Sequence, residues 1–293
     1  MINLKNKKIC LVSYVHSSGL HYLAKYFYDE LSKYNDVTWI PKIKYKLKNS
    51  RYVRLIERSK DLKMPNSVRF LNIDEYDKFF SKNKFDYIFS FETNLREKWV
   101  VKNIEKITDI PMIEWVDFNK INYYKHFKEI LCLNNFTFNS LKNHGNCKKF
   151  EFKIKSKNCQ NKRGYFYHQA SLNPEYSSKN TDAVISAFLN TNKKLIVTGL
   201  LSDYNLSKIN NNIKYFGVLS RDKIEEIYCS SEFLIAPSKI EGFGLQIYEA
   251  KSYGCKILCS DYPTIKDLGD YIVSLDSQEP ISSQIYDIIT NLS

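Results

Sequence analysis

Short runs of β-branched and aromatic residues alternate with longer amphipathic stretches along almost the whole chain, and this alternation limits the possible folds more than any other feature. It begins with "KICLVSYV" (8–15) and "GLHYLAKYFYDELSKY" (19–34). It continues through "DVTWIP", "FDYIFSF" (85–91), the helical "REKWVVKNIEKI", "PMIEWVDF" (111–118), "EILCL" (129–133) and the helical "TFNSLKNHG". Such a pattern predicts a parallel sheet with crossover helices. It restarts after the basic "CKKFEFKIKSKNCQNKRG" (147–164), which lacks helical periodicity and reads as a domain junction. Strands are predicted at 164–170, 193–199, 213–217, 232–238, 255–260 and 271–275, with helices near 180–190, over "SRDKIEEIYCS" and near 244–253. The length of 293 residues suits two domains of about 100 to 150 residues each. The boundaries predicted are 1–155 and 156–280, with a closing helix over 281–293 that packs back on the first domain.

The formal net charge of +12 suits nucleic acid, an anionic membrane face or a phosphorylated small molecule, and does not choose among them. Its densest clusters, 42–54 and 148–163, read as solvated surface before they read as polyanion sites. No nucleic-acid motif accompanies them, so no nucleic-acid partner is expected. Seven cysteines, at 10, 132, 147, 159, 229, 255 and 259, form no CxxC pair and signal neither a zinc site nor a disulfide framework. Several lie inside apolar runs, as reduced cysteines do. With no apolar run near the ~18 residues of a membrane span and no signal-peptide pattern, the expected location is the cytoplasm, with peripheral contact at the membrane inner face allowed by the charge.

Chemistry concentrates in "SKIEGFGLQIYEAKSYGCKILCSDYP" (238–263). A strand ends, a loop carries Glu241 into Gly242-Phe243-Gly244, and a helix carries Glu249. Loops of this kind, at the carboxyl ends of parallel strands, are where doubly wound sheets bind ligands. Small residues let backbone amides approach a ligand, and the helix start favours an anion or a network of sugar hydroxyls. Glu249 falls roughly 7 Å further along the axis than the turn. The two acids are thus spaced to hold opposite ends of one extended ligand and are not a hydrolytic dyad.

This segment resembles the C-terminal domain of the retaining GT-B glycosyltransferases of the large family 4, whose signature is E-x7-E followed by a helix, a glycine and a strand. Further elements agree in order and spacing: "SKNTDAVISAFLN" (178–190), "KKLIVTG", "IKYFGVLSRDKIEEIYCSSEFLIAPS" and "CKILCSDYPTIKDLGDYIVSLD", so the resemblance spans about 164–276. It implies an α/β fold of two Rossmann-like domains facing a central cleft that holds the active site. It also implies an enzyme that moves a sugar, with retained configuration, from a nucleotide-diphosphate donor to a glycan, lipid-linked or other acceptor. No metal or cofactor is expected; the donor is a UDP- or GDP-sugar.

Residue by residue, the resemblance implies that Glu241 holds donor-sugar hydroxyls, that the amides of Phe243, Gly244 and Leu245 meet the sugar and diphosphate, and that Glu249 binds the ribose. Lys179 neutralises the leaving diphosphate, whose charge grows in the transition state. The backbone of Gly217 and Val218 frames the base, and Asp117, after "PMIEWV", faces the donor sugar. Gly19 opens a helix start suited to phosphate or acceptor atoms. His168 reads as an interior or rim histidine, with phosphate contact as the alternative. One departure stands out: the family carries an arginine five residues before the lysine, and "YHQASLNPEYSSKN" has none, which leaves Arg163 as a weak substitute. Three other readings compete: a catalytically silent binding subunit of the same fold, a basic nucleic-acid-binding protein, and a nucleotide-sugar epimerase that needs no acceptor.

Overall fold

Strands covered on both faces read as continuous apolar runs. Ile9–Val12, Leu195–Val197, Leu234–Ala236 and Ile257–Cys259 are such runs, with no residue more than 5% exposed. The computed structural model describes residues 4–14, 19–42, 75–93, 97–111, 123–159, 164–173 and 177–292. The chain divides into two compact units, Met1–Phe152 and Lys153–Ser293.

Among the described residues, the first unit holds strands β1 (Lys8–Tyr14), β2 (Asp36–Lys42), β3 (Tyr87–Phe91), β4 (Ile107–Ile110), β5 (Glu129–Cys132) and β6 (Cys147–Lys149). They form one parallel sheet in the order β2-β1-β3-β4-β5-β6. Helix Gly19–Leu31 follows β1. Aromatic residues fill one side of the sheet, where Phe80 stacks on Trp99 at 4.6 Å between ring centres, beside Tyr76, Phe79 and Phe85. Helix Lys98–Asn103 is shorter than "REKWVVKNIEKI" suggests, and the last residue of that stretch, Ile107, opens strand β4, every residue of which is buried and which ends just before the expected "PMIEWVDF" strand. From residue 112 on, that expected strand, with Asp117, lies outside the described residues, as does Arg163.

The second unit repeats the plan with β7 (Tyr165–Gln169), β8 (Leu195–Thr198), β9 (Ile213–Tyr215), β10 (Ser231–Ala236), β11 (Lys256–Ser260) and β12 (Tyr271–Val273). All are parallel, in the order β12-β11-β10-β7-β8-β9. The chain leaves β7 toward β8 and leaves β10 toward β11, in opposite directions across the sheet. The carboxyl ends of β7 and β10 therefore flank a topological switch point. One face is covered by helices Thr181–Phe188 and Ile281–Asn291, through Val184, Phe188, Ile285 and Ile289. The other is covered by Arg221–Ser230 and Leu245–Ser252, through Ile224, Ile227, Ile247 and Ala250. The closing helix was expected to return to the first domain; instead its buried residues, Ile285 and Ile289, complete the core of the second unit. Of the four outer strands described, β6, β9 and β12 are three residues long and β2 is seven.

A disulfide overturns the reading of the cysteines as free. Cys159, in the segment that enters the second unit, is bonded to Cys229 near the end of helix Arg221–Ser230, with Cα atoms 5.2 Å apart. The two are 70 residues apart in sequence, so no local spacing announces the pair. Lys157, nearby, donates its backbone N–H to Ser252 O at 2.7 Å and pairs with Glu225 at 3.0 Å. By chain entropy, closing a loop of this length stabilises the second unit by up to about 4 kcal/mol. We therefore expect a reductant, or the double substitution Cys159→Ser with Cys229→Ser, to lower the melting temperature of the second unit. Thiol counting on the denatured, unreduced chain should find five free cysteines; seven free thiols and an unchanged melt would refute the bond.

Candidate functional site

The site is built by the two segments that leave the switch point. After β10, residues 237–244 form a loop that ends at Gly244, the residue before helix Leu245–Ser252. Gly244 has φ +74°, and a Cβ there would stand 2.8 Å from Ile265 Cγ2. Both facts make this a position for glycine alone. Phe243 anchors the turn: it is 2% exposed and stacks on Tyr248 at 4.5 Å. The side chain of Phe243 thus belongs to the interior, and only its backbone remains to meet a ligand. Leu245 is likewise buried and begins the helix.

After β7, the short helix Ser177–Lys179 leads into Asn180, whose left-handed φ of +52° turns the chain into helix Thr181–Phe188. Hydrogen bonds lace this segment to the β10 loop. Lys239 N–H donates to Ser178 O at 2.7 Å, and Asn180 Nδ2 donates to Pro237 O at 2.7 Å. The ammonium of Lys179 is ion-paired with Oε2 of Glu241. The pair is part-buried, with side chains 21% and 16% exposed. Thr264 Oγ1 donates to the backbone carbonyl of Glu241 and braces the loop from the other side. Lys179 and Glu241, 62 residues apart, are thereby brought together.

His168 lies beneath this lacing, 1% exposed, near the end of β7. Nδ1 is 2.8 Å from Ile235 O and Nε2 is 2.9 Å from Thr181 Oγ1. A carbonyl only accepts, so Nδ1 carries the proton and Nε2 accepts from the threonine hydroxyl. The ring thus ties β7, β10 and the start of helix Thr181–Phe188 together. It acts as a positioning group and, buried in this way, does not itself meet a phosphate. Burial lowers its pKa to about 4, assisted by the charge of Lys179 and opposed by the bond to Ile235 O.

Glu249 occupies the other end of the motif and is nearly enclosed, 4% exposed. Arg221 Nη1 lies 2.8 Å from its Oε1, and Tyr228 donates its hydroxyl to Oε2 at 3.3 Å. Burial pushes the carboxyl's pKa up, against the pull of Arg221 and Tyr228. Arg221 opens its helix at the carboxyl end of β9 and, like Asn180, escaped the sequence reading. A "Ser-Arg-Asp" start after a glycine turn signals only a helix cap.

Three neighbouring loops complete the carboxyl edge. Gly199 has φ +100°, its N–H donates to Gly217 O at 2.8 Å, and a Cβ there would stand 2.6 Å from Ala170 O. Leu200 N–H reaches Ser171 O at 2.9 Å. Phe216 and Val218, on either side of Gly217, are 51% and 42% exposed. In the first unit, Gly19 begins helix Gly19–Leu31 after the carboxyl end of β1. Among the described residues no group of three or more His, Cys, Asp or Glu side chains could hold a metal ion. Among the same residues no helix is long and apolar enough to cross a membrane.

Residues 149–270 match the family model described as Glycosyl transferases group 1. A search of curated proteins by sequence finds no match. Among solved structures, the chain is similar to sucrose-phosphate synthase from Thermosynechococcus elongatus, with 8% identity, a TM-score of 0.67, and 97% of this chain and 90% of that chain covered. It is similar to Anabaena HepE in complex with UDP and glucose, with 12% identity, a TM-score of 0.65, and 97% and 90% covered. It is also similar to the pneumococcal O-GlcNAc transferase GtfA in complex with UDP and GlcNAc, with 13% identity, a TM-score of 0.57, and 73% and 52% covered. The chain thus spans about half the length of GtfA. The shared architecture is GT-B, two parallel-sheet α/β domains. The matched residues make up most of the second unit, and the likeness to the solved structures is one of fold.

The neutral state of His168 makes the site's frame sensitive to acid. Its folded pKa, about 4, lies below the ordinary histidine value of 6.5, so the unfolded chain binds more protons between those values. Stability is full above about pH 6.5 and falls as pH drops toward 4, by up to about 3 kcal/mol for this group. His21 in the first unit, also lowered to about 4, acts with the same sign there. Melting of the second unit from pH 7.5 to 4.5 should show the loss, and His168→Asn should flatten it. An equal slope in wild type and variant would remove His168 as its source.

Proposed function

We propose that the second unit binds a nucleotide-diphosphate sugar at the switch point between β7 and β10, and that the protein transfers the sugar, with retained configuration, as a family 4 glycosyltransferase does. The observation that carries this reading is the Lys179–Glu241 pair, held by hydrogen bonds on both loops where a doubly wound sheet receives ligands. A donor brings both partners these side chains need. Its diphosphate offers an anion to Lys179, and its sugar hydroxyls offer donors to Glu241. Exchange of the internal pair for those contacts leaves neither charge uncompensated. As the glycosidic bond breaks, negative charge grows on the leaving diphosphate. A fixed ammonium and the amides at the start of helix Leu245–Ser252 gain most at that moment.

The loops of Gly217 and Val218 are in the position to frame a base. The acceptor, a glycan or a lipid-linked saccharide, falls to the first unit, where the helix start at Gly19 is the proposed contact. Asp117 keeps its proposed place beside the donor sugar. UDP is the first nucleotide to try, because HepE and GtfA were crystallised with it, and GDP is the second. Anchoring at the membrane inner face would rest on the basic clusters alone.

The reading is tested by melting the protein with UDP, GDP, ADP and dTDP and their sugars, since a ligand of the native state raises apparent stability. One nucleotide family should stabilise it, and transfer or hydrolysis of that donor should fall about 100-fold or more in Glu241→Gln and in Lys179→Ala. Binding without turnover in wild type would identify a silent binding subunit. An epimerised sugar formed from the donor with no acceptor present would identify an epimerase.

A further inference from the structure

The bonded cysteines Cys159 and Cys229 are placed differently from the other two of the second unit. Cys255 and Cys259 are 5% and 0% exposed, inside the core. Cys159 and Cys229 are half-buried and line a cavity of about 650 Å³, together with Tyr165, Ile196, Phe216 and Ile227. A thiol reagent therefore has room to reach this bond in the folded chain, as attack on a disulfide sulfur requires. Lys214 also lines the cavity and favours the thiolate that leaves, whereas Glu226 on the same wall is paired with Lys223 at 2.8 Å. The bond fixes a segment with little structure of its own. Residues 153–158 form neither helix nor strand, and all but Ile154 are exposed. Lys157 ties the same segment to Ser252 through its N–H and to Glu225 through its ammonium. The core of the unit closes without the bond: apolar side chains on both faces of the sheet pack against its helices, and the two sulfurs only flank one of these clusters.

We propose that the Cys159–Cys229 bond is a reversible redox site: a dithiol reductant opens it in the native protein, and opening frees residues 153–159 while the second unit stays folded, with a lower melting temperature. One thiolate of the reductant attacks one sulfur of the bond, and the other cysteine leaves as a thiolate and takes a proton. The reductant's second thiol then closes its own disulfide and displaces the first cysteine, which takes the remaining proton. The protein gains two thiols, and the dithiol loses two electrons. This inference stands on the second unit alone and is independent of the donor reading above.

Dithiothreitol titrated onto the full native chain, followed by alkylation and peptide mapping, tests it. Cys159 and Cys229 should become labelled together while Cys255 and Cys259 stay protected and the far-ultraviolet dichroism is unchanged. Trypsin should then cut after Lys153, Lys155 and Lys157 about 10-fold faster than in the oxidised chain, because cleavage follows local opening. Glutathione disulfide should restore both the bond and the slower cleavage. The double variant Cys159→Ser with Cys229→Ser should fold, show the faster cleavage without reductant, and give no response to it. If the bond opens only in denaturant, together with labelling of Cys255, it is a static brace and the proposal is overturned. Unfolding of the second unit on reduction or in the double variant, or cleavage that reduction leaves unchanged, overturns it equally. So does a chain whose Cys159 and Cys229 remain free thiols after treatment with glutathione disulfide.

Discussion

A parallel sheet opens a crevice for a ligand at its carboxyl edge where its strand order reverses, and here that place lies between β7 and β10. Every feature of the candidate site in the second unit depends on this reversal. It sets the segment after β7 against the loop after β10, and the bonds Lys239 to Ser178 and Asn180 to Pro237 then hold them at fixed separation. His168 fixes the same junction from below through two oriented bonds. With the backbone locked, Lys179 and Glu241 meet with little freedom left to lose, so a ligand that separates them does not have to order them first.

Buried polarity follows one rule in this unit. Each enclosed charge has a counter-charge, and each pair joins elements that the apolar core alone would leave free to slide. Glu249 and Arg221 join the two helices on one face of the sheet. Buried ion pairs of this kind contribute little net stability, because desolvation offsets most of the attraction, but they tolerate one arrangement only. Arg221 is consequently placed more closely than a surface arginine would be.

Much of this was legible in the sequence because it is local. Apolar runs marked the strands, and the Gly-Phe-Gly turn between Glu241 and Glu249 marked the loop and helix that carry the motif. Lys179 was found because it stands beside an Asn at a helix start, in a pattern with fixed spacing. What escaped is non-local or masked by a neighbour. The strand Ile107–Ile110 hid in the tail of an amphipathic stretch, where helix and strand periods overlap. The Cys159–Cys229 bond joins positions 70 residues apart, and the enclosure of Glu249 depends on an arginine 28 positions earlier on another helix. Periodicity reports which face of an element is apolar; it does not report which element that face will meet.

The narrow margins of the two sheets carry a consequence of their own. Sheets this apolar would associate with copies of themselves through any long bare edge. Among the described strands, three of the four outermost, β6, β9 and β12, have only three residues each, and two of these present lysines: Lys148 and Lys149 on β6, and Lys214 on β9; the fourth, β2, is seven residues long. At those lysine-bearing short edges, part of the net charge of +12 acts as a barrier to fibre-like stacking.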